Sequence, residues 1–75
     1  MAGKISIIGQ LAEIHREIQM RERVYAEQIR TNKMRPEAAA MLMDRIHAIR
    51  ATLVFCKENE ADIRAFVAAR KAGAA

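Results

Sequence analysis

Cysteine occurs once in the 75 residues, proline once, glycine three times and tryptophan not at all. A single thiol, Cys56, cannot build an internal disulfide framework, so a reducing, intracellular setting is expected. Gly3, Gly9, Gly73 and Pro36 are the entire supply of strong turn formers, which leaves long stretches where a sheet has no place to reverse. Aromatic side chains are confined to Tyr25, Phe55 and Phe66, so burial has to come from Ile, Leu, Val, Met and many alanines. No apolar run approaches the roughly 20 residues that cross a bilayer, and the early ISII is far shorter than a signal-peptide core. A soluble chain without membrane attachment is the expectation. Thirteen Lys and Arg against nine Asp and Glu leave a formal charge of +4, compatible with an acidic partner but well short of a basic tail. Chemistry is as sparse as covalent structure. There is no glycine-rich phosphate loop, and Ser6, Thr31, Thr52 and Cys56 have no evident histidine to activate them, so no enzyme, cofactor or metal centre is expected.

What the chain does have is helical periodicity. Apolar residues make up 52% of it, and with so few breakers that composition reads as all-α. Ile7, Leu11, Ile14 and Ile18 recur at spacings of four and three, the stripe of a helix that packs on a partner, and Arg21 and Tyr25 continue it. RTNKMRPEAAA then marks a boundary. Asn32 tolerates the left-handed conformation that ends helices, Pro36 suits the first turn of the next one, and Glu37 places a negative charge at that positive helix end. Helix 1 is therefore expected over about 5–31, a turn at 32–35, and helix 2 from 36 to about 71. So short a connection makes the pair an antiparallel hairpin, a single domain over 1–75.

Helix 2 carries the longer stripe. Ala39, Leu42, Ile46, Ile49, Leu53, Cys56, Glu60, Ile63 and Val67 follow the three-four alternation of a coiled-coil seam. Folding the hairpin near residue 34 sets Arg21 and Val24 beside Ile46, Ile14 beside Leu53 and Ile7 beside Ile63. Near the end of helix 2 two readings stand. The helix runs on unbroken, or Asn59 caps a short third helix over 60–71, with Asp62 in its first turn.

The polar members of these stripes also admit two readings each. Arg21 can lay its methylenes on the seam and pair with Glu17 one turn earlier, while Tyr25 keeps its ring inside and its hydroxyl at the rim; alternatively both contact a partner. Asp44 and His47 stand one turn apart but project from the outer side of helix 2, away from His15, as solvated polar residues. On helix 1, Arg16, Arg23 and Arg30 alternate with Glu13 and Glu27 in a salt-bridged outer face. Arg50, Lys57, Arg64 and Lys71 form a column beside the helix 2 seam that could follow phosphates, although no exposed aromatics interleave with it and no groove-reading motif accompanies it.

Association is the expected activity. If helix 2 reaches Arg70 it outruns helix 1, leaving Ile63, Phe66 and Val67 uncovered, and Ile5, Ile8, Val24, Met43 and Phe55 exceed what one narrow seam can bury. A two-helix hairpin this small is marginal alone, and a second copy completing a four-helix bundle is the economical remedy. The expectation is a small non-enzymatic interaction protein, a homodimer, that binds and modulates or inhibits another protein through Ile63, Phe66, Val67, Ile5 and Ile8, with Arg21 and Tyr25 as further candidate contacts. The alternative is a basic accessory protein that binds nucleic acid non-specifically along Arg50, Lys57, Arg64 and Lys71.

The stretch EIHREIQMRERVYAEQIRTNKMRPEAAAMLMDRIHAI, residues 13 to 49, resembles a family of short, mostly uncharacterised proteins encoded by phages and prophages. Members pair an E-I-x-M-R-x-x-V-Y segment with G-K-[ML]-x-P-E-x-A, and Asn32 stands where the glycine is usual, an exchange within the left-handed region. The resemblance implies a phage-related origin, life in the cytoplasm of a bacterial host, and a host or phage protein as partner. It brings no activity and no catalytic residue.

Overall fold

The computed structural model describes residues 4 to 74, and every regular element among them is a helix: α1 (Ile7–Arg30), α2 (Pro36–Glu58) and α3 (Glu60–Ala74). Met1, Ala2, Gly3 and Ala75 lie outside the described residues. α1 starts two residues later than the expected boundary at about residue 5 because Ser6 is its cap. The extended backbone of Ser6 lets its hydroxyl accept from the Gly9 N–H at 3.2 Å, satisfying one of the unpaired donors of the first turn.

The end of α1 is built as the asparagine requires. Asn32 has φ 61°, the only positive φ of a non-glycine residue among the described residues. Reversal there turns the Lys33 N–H onto the Gln28 carbonyl at 2.8 Å and the Asn32 N–H onto the Ile29 carbonyl at 3.1 Å, the two bonds of a Schellman motif. Three residues further on, Pro36 opens α2 from an extended Arg35, with Glu37 in the first turn.

The turn sets α2 back along α1, and two side-chain bonds register the pair. Arg21 reaches the Leu42 carbonyl at 3.2 Å and Arg50 reaches His15 at 2.8 Å, so rising numbers on α2 meet falling numbers on α1. The hairpin is antiparallel. The Arg21 contact falls one turn nearer the loop than the Ile46 level expected from the stripes, because a long arginine spans the helix gap diagonally.

The core is thin. Ile18, Ala39 and Ile46 are its buried apolar residues, with Ile46 only 4% exposed, while Ile7, Leu11, Ile14, Leu42 and Leu53 are half-buried. Two helices share one line of contact, so each seam residue keeps a side open to solvent. Ile49 departs from its expected seam position: it is exposed, and its neighbour Arg50 takes the edge of the seam through the bond to His15.

Helix 2 is not continuous to residue 71; it breaks at Asn59. With φ −111° and ψ 18°, Asn59 leaves the helical region, and its side-chain amide turns back to donate to the Phe55 carbonyl at 2.8 Å, where its own backbone N–H also donates at 3.0 Å. The expected N-capping role gives way to this return onto α2, the local competition with the backbone that disfavours asparagine inside helices. The interruption is a single residue, since Ile63 N–H resumes the ladder on the Asn59 carbonyl at 2.9 Å.

α3 does not fold back. From Pro36 to Ala74 a helix would measure about 58 Å at 1.5 Å per residue, close to the longest dimension of 59 Å. No Cα of α3 lies within 8 Å of a Cα of α1, so α3 leans on the end of α2 alone and projects beyond the hairpin. Asn59→Ala should fuse α2 and α3 by restoring helical geometry, with a gain of about 0.5 kcal/mol from helix propensity. Far-UV circular dichroism during urea unfolding checks this; a loss of helicity would mean that the break itself stabilises the chain.

Candidate functional site

The polar interruption of the α1 stripe is now placed. Arg21 is held from three sides: its Nε donates to Glu17 at 2.9 Å, its Nη1 to the Leu42 carbonyl, and its guanidinium carbon lies 6.0 Å from the Tyr25 ring centroid. Both Arg21 and Tyr25 are half-buried. Spent on bonds within the hairpin, the guanidinium fastens α1 to α2 across a seam that has few apolar residues at that level.

The uncovered surface lies at the opposite end. Every residue from Ala61 to Gly73 is exposed, although Ile63, Phe66 and Val67 share that helix. Phe66 is 62% exposed, with the Arg70 guanidinium carbon 5.9 Å from its ring centroid. Such exposure is a direct result of topology: α1 begins at Ile7, and among the described residues none of α1 lies alongside α3. Where α1 begins, an open notch of about 580 Å³ separates its first turn from the α2–α3 junction, walled by Ile5, Ile7, Ile8, Cys56, Glu60 and Ile63 among others. Ile5 and Ile8 are exposed, as is Phe55 at 62% on the last turn of α2. Exposed apolar residues thus gather at this end of the molecule, around the notch and on α3.

The basic column does not stay free. Arg50 donates to His15, and Arg64 is paired with Glu60 one turn earlier at 2.6 Å, so two of the four bases are engaged within the chain. The Glu60–Arg64 pair was legible in the spacing; the Arg50–His15 bond was not, because it depends on how the two helices sit across their gap. On the outer face of α1, Arg16 pairs with Glu13 at 2.7 Å and Arg30 with Glu27. The hydrogen bond and charge of Glu13 raise the Arg16 pKa, and the hydrogen bond of Glu27 does the same for Arg30. Both pairs are exposed and contribute little to stability.

Asp44 and His47 are exposed on α2, and Cys56 is a half-buried free thiol in the wall of the notch. Among the described residues, no three His, Cys, Asp or Glu side chains converge as a metal site would require. No helix is long and apolar enough to cross a membrane. The feature that sequence reasoning undervalued is Phe55. Its place in the excess of apolar residues was evident, but its nearness to the α2–α3 junction depends on a break that periodicity alone left open.

No family model matches the chain, and no curated protein or solved structure proved similar to it.

Proposed function

We propose that this is a small, non-enzymatic interaction protein that works by association: a homodimer that binds a host or phage protein in the bacterial cytoplasm and modulates or inhibits it. The observation that carries the reading is α3, a 15-residue helix whose Ile63, Phe66 and Val67 stay exposed and which packs on no other helix but the end of α2 among the described residues. An isolated helix of that length is marginal in water and gains its stability from packing, so a helix left bare implies an occupant. The phage-related origin comes from the resemblance of residues 13 to 49 alone.

A four-helix bundle would draw on the surplus apolar residues of α1 and α2, whereas the longest uncovered stretch is on α3. The proposal therefore puts the self-contact on α3. The nucleic-acid reading has less in its favour, since Arg50 and Arg64 are engaged within the chain.

Sedimentation of the full chain across the micromolar range tests the association, with a concentration-dependent dimer expected. A mobility shift with arbitrary duplex DNA at roughly physiological salt separates the classes. No shift is expected; a shift that vanishes steeply with added salt would favour the nucleic-acid protein. Affinity capture from lysogenic or infected cells, with a variant altered in α3 as control, then identifies the bound protein.

A further inference from the structure

The distribution of charge along α3 specifies more than the existence of a dimer. Its first turn carries Glu60 and Asp62, just after Glu58, with Glu60 bridged to Arg64 one turn on, and its last turns carry Arg70 and Lys71, so the first half of the helix keeps a net negative charge and the last turns are purely basic. Between these ends lie Ile63, Phe66 and Val67. We propose that a second copy of this chain packs its α3 antiparallel against this one, about a two-fold axis at Phe66, so that the acidic end of each helix meets the basic end of the other. The inference rests on the homodimer reading and gives it a geometry.

Antiparallel packing about Phe66 sets each Phe66 against its counterpart and each Ile63 near Val67 and Arg70 of the second copy. Glu60 then falls near Lys71 of the second copy, and Asp62 near its Arg70. A parallel arrangement would do the reverse, stacking acid on acid at one end and base on base at the other, and like charges at an interface count against the wrong pairing. The helix dipoles agree with the antiparallel choice, because each partially positive N-terminus lies beside a partially negative C-terminus.

Space points the same way. Among the described residues the lane beside α3 is empty because α1 begins at Ile7, and its open length is that of α3 itself, about 22 Å. The far end of a second α3 entering that lane comes down on the notch, where Ile5 and Ile8 are exposed. That extension matters: a stable interface buries about 800 Å² on each partner, more than a single pair of short helices provides, and the notch walls add to it. By symmetry the same contact forms twice, which closes the dimer and leaves no free α3 to recruit a third copy.

Sedimentation of wild type comes first, since a monomer at micromolar concentration overturns the dimer and with it this arrangement. With the dimer present, the reversal Glu60→Lys with Asp62→Lys, and separately Arg70→Glu with Lys71→Glu, should each weaken association about tenfold. The chain carrying all four reversals should recover most of the lost affinity, because its ends are again opposite, apart from the Glu60–Arg64 pair that Glu60→Lys removes. If the paired reversals leave association unchanged, the antiparallel arrangement falls while the dimer stands. Orientation is read independently by mixing two chains in a Cys56→Ser background, one with Glu60→Cys and one with Lys71→Cys, and oxidising them. A mixed disulfide is expected, since two copies of residue 71 would lie about 15 Å apart, beyond disulfide reach. Preferential joining of like with like would overturn the proposal.

Discussion

Phe66→Asp should weaken the dimer at least tenfold while leaving the α1–α2 hairpin helical. The ring stands 62% exposed on α3, touches neither α1 nor the buried residues of the seam, and so contributes to the fold of the monomer very little. In the dimer its position at the two-fold axis makes it count in both copies. Burying a phenylalanine side chain is worth about 1.5 to 3 kcal/mol, and about 1.4 kcal/mol already corresponds to tenfold in a dissociation constant. The aspartate adds a second penalty by facing its own counterpart across the axis. Sedimentation at a series of concentrations measures the loss, and circular dichroism at the highest of them verifies the hairpin. A variant that dimerises like wild type would remove α3 from the interface and assign its exposed face to a foreign protein.

Ile46→Ala should act on the opposite property, folding rather than association. Ile46 is the most buried of the three core residues, and it packs where the seam has only Ile18 and Ala39 for company. Truncating a buried isoleucine to alanine usually costs about 2 to 5 kcal/mol, and a seam open along its edges can relax toward the lower figure. Against a total of about 4 to 11 kcal/mol expected for a chain of 75 residues, even 2 kcal/mol is a large share. Urea unfolding followed by circular dichroism should show a midpoint well below that of wild type. An unchanged midpoint would mean that stability resides outside the α1–α2 seam.

The two substitutions separate what the sequence made plain from what it did not. The hairpin was legible because its signals agree: apolar spacing on α1, an asparagine suited to positive φ, a proline four residues after that asparagine, and apolar spacing resumed on α2. Arg21 was legible as a hairpin residue through its spacing from Glu17, though its reach to the Leu42 carbonyl was not, because that depends on how two helices sit across a gap. The junction was harder. Cys56, Glu60, Ile63 and Val67 preserve the α2 spacing so well that periodicity argues for one unbroken helix, and only the side chain of Asn59 turns the choice. An asparagine inside a helical pattern can be tolerated, can cap the helix after it, or can bond back to the helix before it, and these outcomes differ by small energies that local sequence does not rank. The exposed face of α3 was foreseeable from the lengths of the helices, whereas the notch beside it needed the relative placement of α1 and the junction.

The single-residue interruption at Asn59 makes order in this chain depend on how much of it is present. Fifteen residues cut off from the cooperative ladder of α2, without a packed neighbour, form and melt on their own account, so the amides of α3 should exchange with solvent far sooner than those around Ile46 in a dilute sample. Association supplies the missing neighbour and shifts that local equilibrium by mass action. On the proposed dimer, scarce copies would offer proteases a loosened tail while accumulated copies would shield one another, so the lifetime of each molecule would rise with the level of the protein.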